Sequence, residues 1–235
     1  MLNLVLAESA LELVPQSLWS HAAVSKRARL WGKRAGETLL DRSYHHAAML
    51  SLKDGQKRGR PDIVHLCLLN ALGTPLNGEG LLRTIVHTRE DKVISIRPET
   101  RLPKNYDRFV GLIEQLYSLG RVPISGQALL DIRSQRLAEL AGEVGASRVV
   151  ALSRAGVRST VEEVIASVVK ETNPLILVGG FPRGRFTVGM LKLADDIFSI
   201  DPEMLDAWIV VSRIIYEYER AIGLSAKRWT KLAGQ

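Results

Sequence analysis

Cysteine is nearly missing from this chain: Cys67 is the only one in 235 residues. That excludes an internal disulfide framework and any cysteine-cluster metal site. Cys67 lies in the apolar run Ile63 to Leu69, so it reads as a small buried hydrophobe in a protein of a reducing compartment. No apolar run approaches the roughly 20 residues that span a bilayer. The opening Met1-Leu2-Asn3-Leu4-Val5-Leu6-Ala7-Glu8 has no basic region and meets an acid too early for a signal peptide. An intracellular soluble protein of the cytoplasm is expected.

Several motifs are also missing. There is no Walker A sequence, and Gly179-Gly180-Phe181-Pro182-Arg183-Gly184 does not match GxGxxG after a first strand. A nucleotide triphosphatase and a standard dinucleotide fold are therefore disfavoured. No Gly-x-Ser-x-Gly nucleophile elbow occurs either. His45 and His46 are adjacent, whereas helix faces repeat at three and four residues, and no third ligand lies near them. They predict a structural or hydrogen-bonding role and no metal. A group-transfer enzyme that holds an adenosine-containing cofactor by backbone contacts stays open.

Acidic residues are the minority, 25 against 32 Lys+Arg, for a formal charge of +7. That favours a polyanionic partner. The hydrophobic fraction of 46% is high enough for a full α/β core.

The most informative stretch runs from Asn173 to Leu205. Its apolar run Leu175 to Val178 stops at Gly179-Gly180, and a second run, Ala194 to Ile200, stops at Asp201-Pro202. Buried strands that end in glycine turns beside helix starts are where α/β sheets place small ligands. Upstream, Arg148 to Leu152 reads as a strand ending at Ser153-Arg154-Ala155-Gly156, and Thr160 to Lys170 as a helix. The strand–helix alternation from residue 148 onward predicts a parallel sheet with helices on its faces. Three strand ends, at 152–156, 178–184 and 198–202, would then gather on one sheet edge. A long apolar helix from Pro202 to about Ile222 is expected, with Asp201 as its N-cap and Pro202 first. Its apolar residues cover most of its circumference, which calls for cover on more than one side. Residues 223–235 read as a loosely ordered basic tail.

Nearer the start, Leu2 to Ala7 reads as a buried strand and Glu8 to Val14 as a short helix stopped by Pro15. Residues 16–38 are basic without a clear period. Leu39-Leu40-Asp41 looks like a strand end, and Ser43 like the cap of a helix from Tyr44 to about Leu52. Pro61-Asp62 open an apolar helix, with Arg60 just before it. Asp62 has two readings here: compensation of the helix dipole, or a carboxylate held for a substrate. Leu82 to Thr88 and Val93 to Arg97 form an expected hairpin, and residues 110–145 read as helical with breaks at Gly120 and Pro123. Two basic loops, 53–60 and 97–108, each precede a helix and together suit phosphates. Lys104 and Arg108 would share a helical face if that helix starts early enough.

Arg58-Gly59-Arg60-Pro61-Asp62-Ile63-Val64-His65, Pro98-Glu99-Thr100-Arg101-Leu102-Pro103-Lys104-Asn105-Tyr106-Asp107-Arg108-Phe109 and the 178–205 segment resemble the nucleolar-essential-protein family, archaeal type. So do Leu39-Leu40-Asp41 with His45-His46, and Asn70-Ala71-Leu72 with Pro75-Leu76-Asn77. These are pseudouridine N1-methyltransferases of small-subunit ribosomal RNA in the SPOUT superfamily. The resemblance spans about residues 1–220 and implies a trefoil-knotted α/β domain over 1–222 with an inserted β-rich lobe at about 74–104. It implies S-adenosylmethionine bound by Leu152 and Ser153, by Gly179, Gly180 and Gly184, and by Ile197, Phe198, Ser199, Ile200, Asp201 and Pro202. It further implies ribosomal RNA held by Arg60, Asp62, Arg101, Lys104 and Arg108, and a homodimer packed through the last helix. Asp62 and Arg60 become the candidate catalytic pair, Asp62 to orient the base or accept its N1 proton and Arg60 to favour the developing anion. Asp62 as a purely structural partner of Arg60 is the alternative. The cytoplasm is the expected location, the nucleolus only for a eukaryotic source. The rival function is a non-catalytic ribosome-assembly factor on the same fold. A transfer-RNA enzyme is a weaker one, disfavoured by the first two segments.

Overall fold

The computed structural model describes residues 1–233. Its strands are β1 (Leu2–Ser9), β2 (Leu82–Thr88), β3 (Lys92–Ile96), β4 (Arg121–Val122), β5 (Leu130–Ser134), β6 (Arg148–Arg158), β7 (Pro174–Gly179) and β8 (Asp196–Ser199). They form one sheet in the order β4-β5-β3-β2-β1-β7-β6-β8. From β2 to β8 the neighbours run parallel, and β3, β5 and β4 continue the sheet antiparallel. Among the helices, α1 (Ala22–Leu30), α2 (Arg42–Met49), α3 (Pro61–Leu72) and α4 (Pro75–Gly78) lie between β1 and β2. Next come α5 (Tyr106–Leu119), α6 (Leu137–Glu143), α7 (Val161–Val168), α8 (Val188–Leu191), α9 (Ala207–Ala221) and α10 (Leu224–Ala233).

Side chains of a strand alternate between faces, and a parallel strand buried on both sides reads as an unbroken apolar run. β1 shows why. Leu2, Leu4 and Leu6 pack in the core that includes Val64 and Leu68 of α3 and Ile214 of α9, while Val5 and Ala7 pack with Leu140 of α6 and Met190 of α8. The same division separates Ile176 from Leu175 and Leu177 on β7. The expected α/β architecture is present.

Several local expectations fail. Residues 8–14 are not a helix: β1 runs on through Ser9, Val14 donates to the Thr38 carbonyl and Leu40 to that of Glu12, and Leu13 bridges Leu39. Seven residues are too few to hold a helix unaided, so tertiary hydrogen bonds decide. Residues 16–38 contain α1, and the cap of α2 is Asp41, which accepts from the Ser43 amide, not Ser43. The 110–145 region is one helix only to Leu119. Gly120 ends it in a left-handed turn (φ 77°), and β4, β5 and α6 follow. β6 does not end at Leu152 but passes through an irregularity and pairs with β8 again at Val157 and Arg158. Within residues 74–104, β2 pairs with β1 and β3 with β2, so both strands belong to the one sheet.

The last long helix starts at Ala207 with Asp206 at the cap position, five residues later than expected. Asp201 turns its carboxylate onto the Glu203 amide at 2.9 Å, which closes a local turn in place of a helix start. Residues 224–233 of the basic tail are helical, and Arg228 and Lys231 reach Glu79 at 3.1 and 3.7 Å. The two final residues of that tail lie outside the described residues.

The irregularity in β6 depends on a missing side chain. A Cβ on Gly156 would sit 2.5 Å from the Ile197 carbonyl carbon and 2.6 Å from that of Phe198. Backbone cannot yield as a side chain tip can. Gly156→Ala should therefore cost about 1–3 kcal/mol, a fall in Tm of roughly 2–10 °C for a chain this size. Gly142→Ala, on α6 with nothing near its Cβ, should leave Tm unchanged or raise it. Equal Tm for wild type and Gly156→Ala would show that β6 and β8 do not approach this closely.

Candidate active site

The carboxyl ends of β6, β7 and β8 enclose a cavity of about 220 Å³. Leu152, Val178, Phe198 and Trp208 give it apolar walls, and Arg60, Asp201 and Asp206 bring charge to it. Of the expected cofactor residues, Leu152, Ser153, Gly179, Gly184, Phe198, Ser199, Ile200 and Asp201 line this cavity. Gly180, Ile197 and Pro202 do not. Gly180 is pressed on the end of β1: its amide donates to Ala7, its carbonyl accepts from Ala10, and a Cβ would fall 2.1 Å from Ser9 Oγ. Ile197 packs on the opposite sheet face from Phe198, and Pro202 is exposed. Gly179 differs from Gly180, since an added Cβ would first meet the Phe181 ring, at 2.9 Å.

Sequence reasoning missed part of the wall. Leu205, Asp206 and Trp208 line the cavity because residues 201–206 are a loop rather than a first helical turn. Phe181 and Arg183 lay inside the glycine segment, but nothing in their spacing marked them as wall.

The loop from Phe181 to Thr187 is held from β1. Glu8 Oε1 accepts the Thr187 amide at 2.9 Å, and Lys57, 3.4 Å from Glu8 Oε2, also donates to the Arg185 carbonyl. The Lys57 ammonium lies 4.6 Å from the Phe181 ring centre. Glu8 takes a positive φ of 49° to place its carboxylate there. Lys57 is thus committed to the loop beside the cavity. Its neighbour is committed elsewhere: Arg58 pairs with Glu12, whose side chain is 0% exposed. Hydrogen bonding to Glu12 is the main cause that raises the Arg58 pKa above its usual value. Half of the first basic loop therefore serves the fold and not a phosphate.

Arg60 opens onto the cavity from just before α3. Its Nε and Nη2 donate to Asp62 Oδ1 and Oδ2 at 2.8 and 2.7 Å, a two-point pair about one-third exposed on both sides. That pair raises the Arg60 pKa. One turn on, His65 stacks on Phe109 at 4.2 Å, and its Nε2 lies 2.7 Å from the Pro103 carbonyl. Burial is the main cause that lowers the His65 pKa, so the ring is neutral near pH 7 and its Nε2 donates to that carbonyl. This contact fastens the 98–109 segment to the helix that carries Asp62. Arg101, Lys104 and Arg108 are exposed and have no ion-pair partner among the described residues. Lys104 precedes α5, whose cap is Asn105, so it shares no helical face with Arg108. His45 has the structural role expected, its Nδ1 accepting the Asp41 amide at 3.0 Å. No cluster of metal-ligating side chains occurs among the described residues. A wider cleft of about 830 Å³ at the ends of β1 and β2, beside His87, Arg89 and Lys192, holds none of the expected site residues.

The family model described as EMG1/NEP1 methyltransferase matches residues 4–219. The chain is 48% identical over 227 residues to the ribosomal RNA small subunit methyltransferase Nep1 of Thermococcus kodakarensis, covering 95% of this chain and 100% of that one. It is 46% identical over 215 residues to the protein of that name from Staphylothermus marinus, covering 91% and 93%. The crystal structure of Archaeoglobus fulgidus Nep1 bound to S-adenosylhomocysteine superposes with a TM-score of 0.84 at 36% identity, over 94% of this chain and 98% of that one.

The Glu12–Arg58 pair yields a stability test. Breaking a buried ion pair from one side leaves an uncompensated charge, which costs about 3–5 kcal/mol. Urea denaturation of Arg58→Met should show a loss of that order. Adding Glu12→Gln should restore part of it. An Arg58→Met variant within about 1 kcal/mol of wild type, the range of exposed pairs, would mean that Glu12 reaches water.

Proposed function

This chain belongs to the EMG1/NEP1 methyltransferase family, and from that premise we propose that it methylates N1 of a pseudouridine in small-subunit ribosomal RNA during assembly of that subunit. The observation that carries this reading is the placing of Arg60, paired with Asp62, at the mouth of a cavity formed by three strand ends.

The residues present fit S-adenosylmethionine. Leu152, Val178, Phe198 and Trp208 offer apolar surface for an adenine ring, and a Cβ on Gly179 would press on the Phe181 ring of the same wall. Asp206 suits a hydroxyl or ammonium group, and Asp201 lines the cavity while held by the Glu203 amide and Arg213. When bound, the cofactor supplies a methyl group on a positively charged sulfur that is already a good leaving group. What remains for the protein is positioning and proton management, and positioning alone supplies much of such a rate. Pseudouridine N1 must lose its proton as the methyl arrives. Arg60 stabilises the negative charge that develops on the base, and Asp62 orients Arg60 and the base edge and takes up the N1 proton. Arg101, Lys104 and Arg108 hold RNA phosphates near this mouth.

The 178–205 segment forms the trefoil knot of the SPOUT superfamily in this reading. Two copies pack through α9: its inner side meets α3 and α7, while Ile209 and Tyr216 stay 39% and 66% exposed and suit a second copy. The cytoplasm, or the nucleolus of a eukaryote, is the location this reading calls for. No helix among the described residues is long and apolar enough to cross a membrane.

Calorimetric titration of S-adenosylmethionine tests the proposal. Gly179→Val should fold and bind at least about tenfold more weakly, a loss of 1.4 kcal/mol or more. No binding by folded wild type would leave only the reading of a non-catalytic assembly factor. With the cofactor site in hand, Asp62→Asn should lower kcat by about 100-fold or more, the range of a lost general base, while S-adenosylmethionine affinity stays as in wild type. Unchanged turnover at saturating RNA would remove Asp62 from the chemistry and leave it as the partner of Arg60.

A further inference from the structure

A cluster of aromatic and cationic side chains outside the cavity centres on Arg27. The Arg27 guanidinium carbon lies 3.5 Å from the Tyr44 ring centre and 4.5 Å from that of Trp31. Arg27 is itself held, 3.9 Å from Asp107 in the first turn of α5. Both rings are nonetheless well exposed, Trp31 at 38% and Tyr44 at 40%. A cleft between them is lined by Asp41, His45 and Glu114. His45 takes the Asp41 amide on Nδ1, so its proton resides on Nε2, and that buried atom has no acceptor among the described residues. Elsewhere on α1, Lys26 and Arg29 are exposed and have no ion-pair partner among the described residues.

We propose that Trp31, Arg27 and Tyr44 form a stacking platform for an unpaired nucleobase of the ribosomal RNA, flanking the nucleotide that enters the Arg60–Asp62 site. The proposal rests on the reading that this protein binds ribosomal RNA and extends it to a second contact. Three observations carry it. The cation fixes both rings before binding, so little side-chain freedom is lost when a base stacks on them. The same helix carries the unpaired cations Lys26 and Arg29, which a strand of phosphates requires, whereas lysine is depleted at protein–protein interfaces. The position is continuous with the site: Arg27 reaches the turn that carries Arg108, and Tyr106 of that turn donates to Asp41 at the cleft floor. A duplex hides its base faces, so the partner is an unpaired segment.

The test is fluorescence anisotropy of the full chain with a labelled hairpin of small-subunit ribosomal RNA that has an unpaired loop, against a fully paired duplex of equal phosphate number. Trp31→Ala and Tyr44→Ala should each weaken hairpin binding about tenfold, the scale of one stacked base, and leave duplex binding unchanged. Trp31→Phe and Tyr44→Phe should retain most of the affinity, since the ring remains. The salt dependence of binding should keep its slope in all four, because no phosphate contact is lost. Circular dichroism and S-adenosylmethionine titration report that each variant is folded. Wild-type affinity for the hairpin in both alanine variants, with binding lost in Arg101→Ala and Lys104→Ala, would overturn the platform while sparing the RNA reading. Binding of neither RNA by folded wild type would overturn the RNA reading itself. Self-association of wild type that Trp31→Ala abolishes, at unchanged hairpin affinity, would overturn the platform in favour of a contact between copies.

Discussion

Two carboxylates at the exit of β1, Glu8 and Glu12, organise the functional half of this molecule. Glu12 is fully buried, and a buried carboxylate must have a partner or lose its charge. Arg58 is that partner, and its position fixes the chain just before Arg60. Glu8 takes Lys57 from the same loop and the Thr187 amide from the other side. The segment leaving the central strand thereby sets two things at once: the loop over the cavity, and the start of the helix that presents Arg60 and Asp62. Gly59 completes the arrangement with a left-handed φ of 66°, which lets Arg42 donate to its carbonyl while Arg60 donates to Ala10.

The strands were legible where burial on both faces writes an unbroken apolar run, as in β1 and β7, and where a glycine pair stops it. Elements held by partners far away in sequence were not. Residues 8–14 carry helix-forming residues, but their amides and carboxylates are claimed by Gly180, Thr38 and Arg58. β4 has two residues and β5 five, and β5 exposes one end, so neither carries enough apolar pattern to stand out beside α5. Asp201-Pro202-Glu203 has the composition of a helix start, yet Asp201 spends its side chain on a local turn and on Arg213 at 3.3 Å. That misplacement concealed Asp206 and Trp208 as cavity wall.

The candidate site divides along the same line. Glycines identified the strand ends, but glycine has two uses there, and only the fold separates them. Gly179 lets the Phe181 ring of the cavity wall come close, whereas Gly180 allows β7 to lie against Ser9. Sequence spacing cannot distinguish a glycine kept for a ligand from one kept for a neighbouring strand. The Arg60–Asp62 pair was legible as a pair. Its closed two-point geometry follows from the Arg60 backbone being non-helical (φ −132°, ψ 64°) just before Pro61.

Net charge gives the sign of a partner, and the map of ion pairs gives its place. Many of the basic residues are internally paired, which leaves the surplus of seven on the unpaired cations. Arg58 faces Glu12, Arg97 faces Glu99, Arg148 faces Asp196 and Arg220 faces Glu217. Each such pair cancels its own field beyond a few ångströms and contributes nothing to steering an anion. Lys26, Arg29, Arg101, Lys104 and Arg108 are exposed and outside these pairs among the described residues, and the Arg27–Asp107 contact joins α1 to the turn of Arg108. A single strand of RNA crossing that surface would meet uncompensated cations and two exposed aromatic rings before it met Arg60. The buried pairs are therefore as informative about function as the free charges: by committing half of the loop at 53–60 to the fold, they leave α1 and the 98–108 segment as the part of this surface that can attract a phosphate backbone.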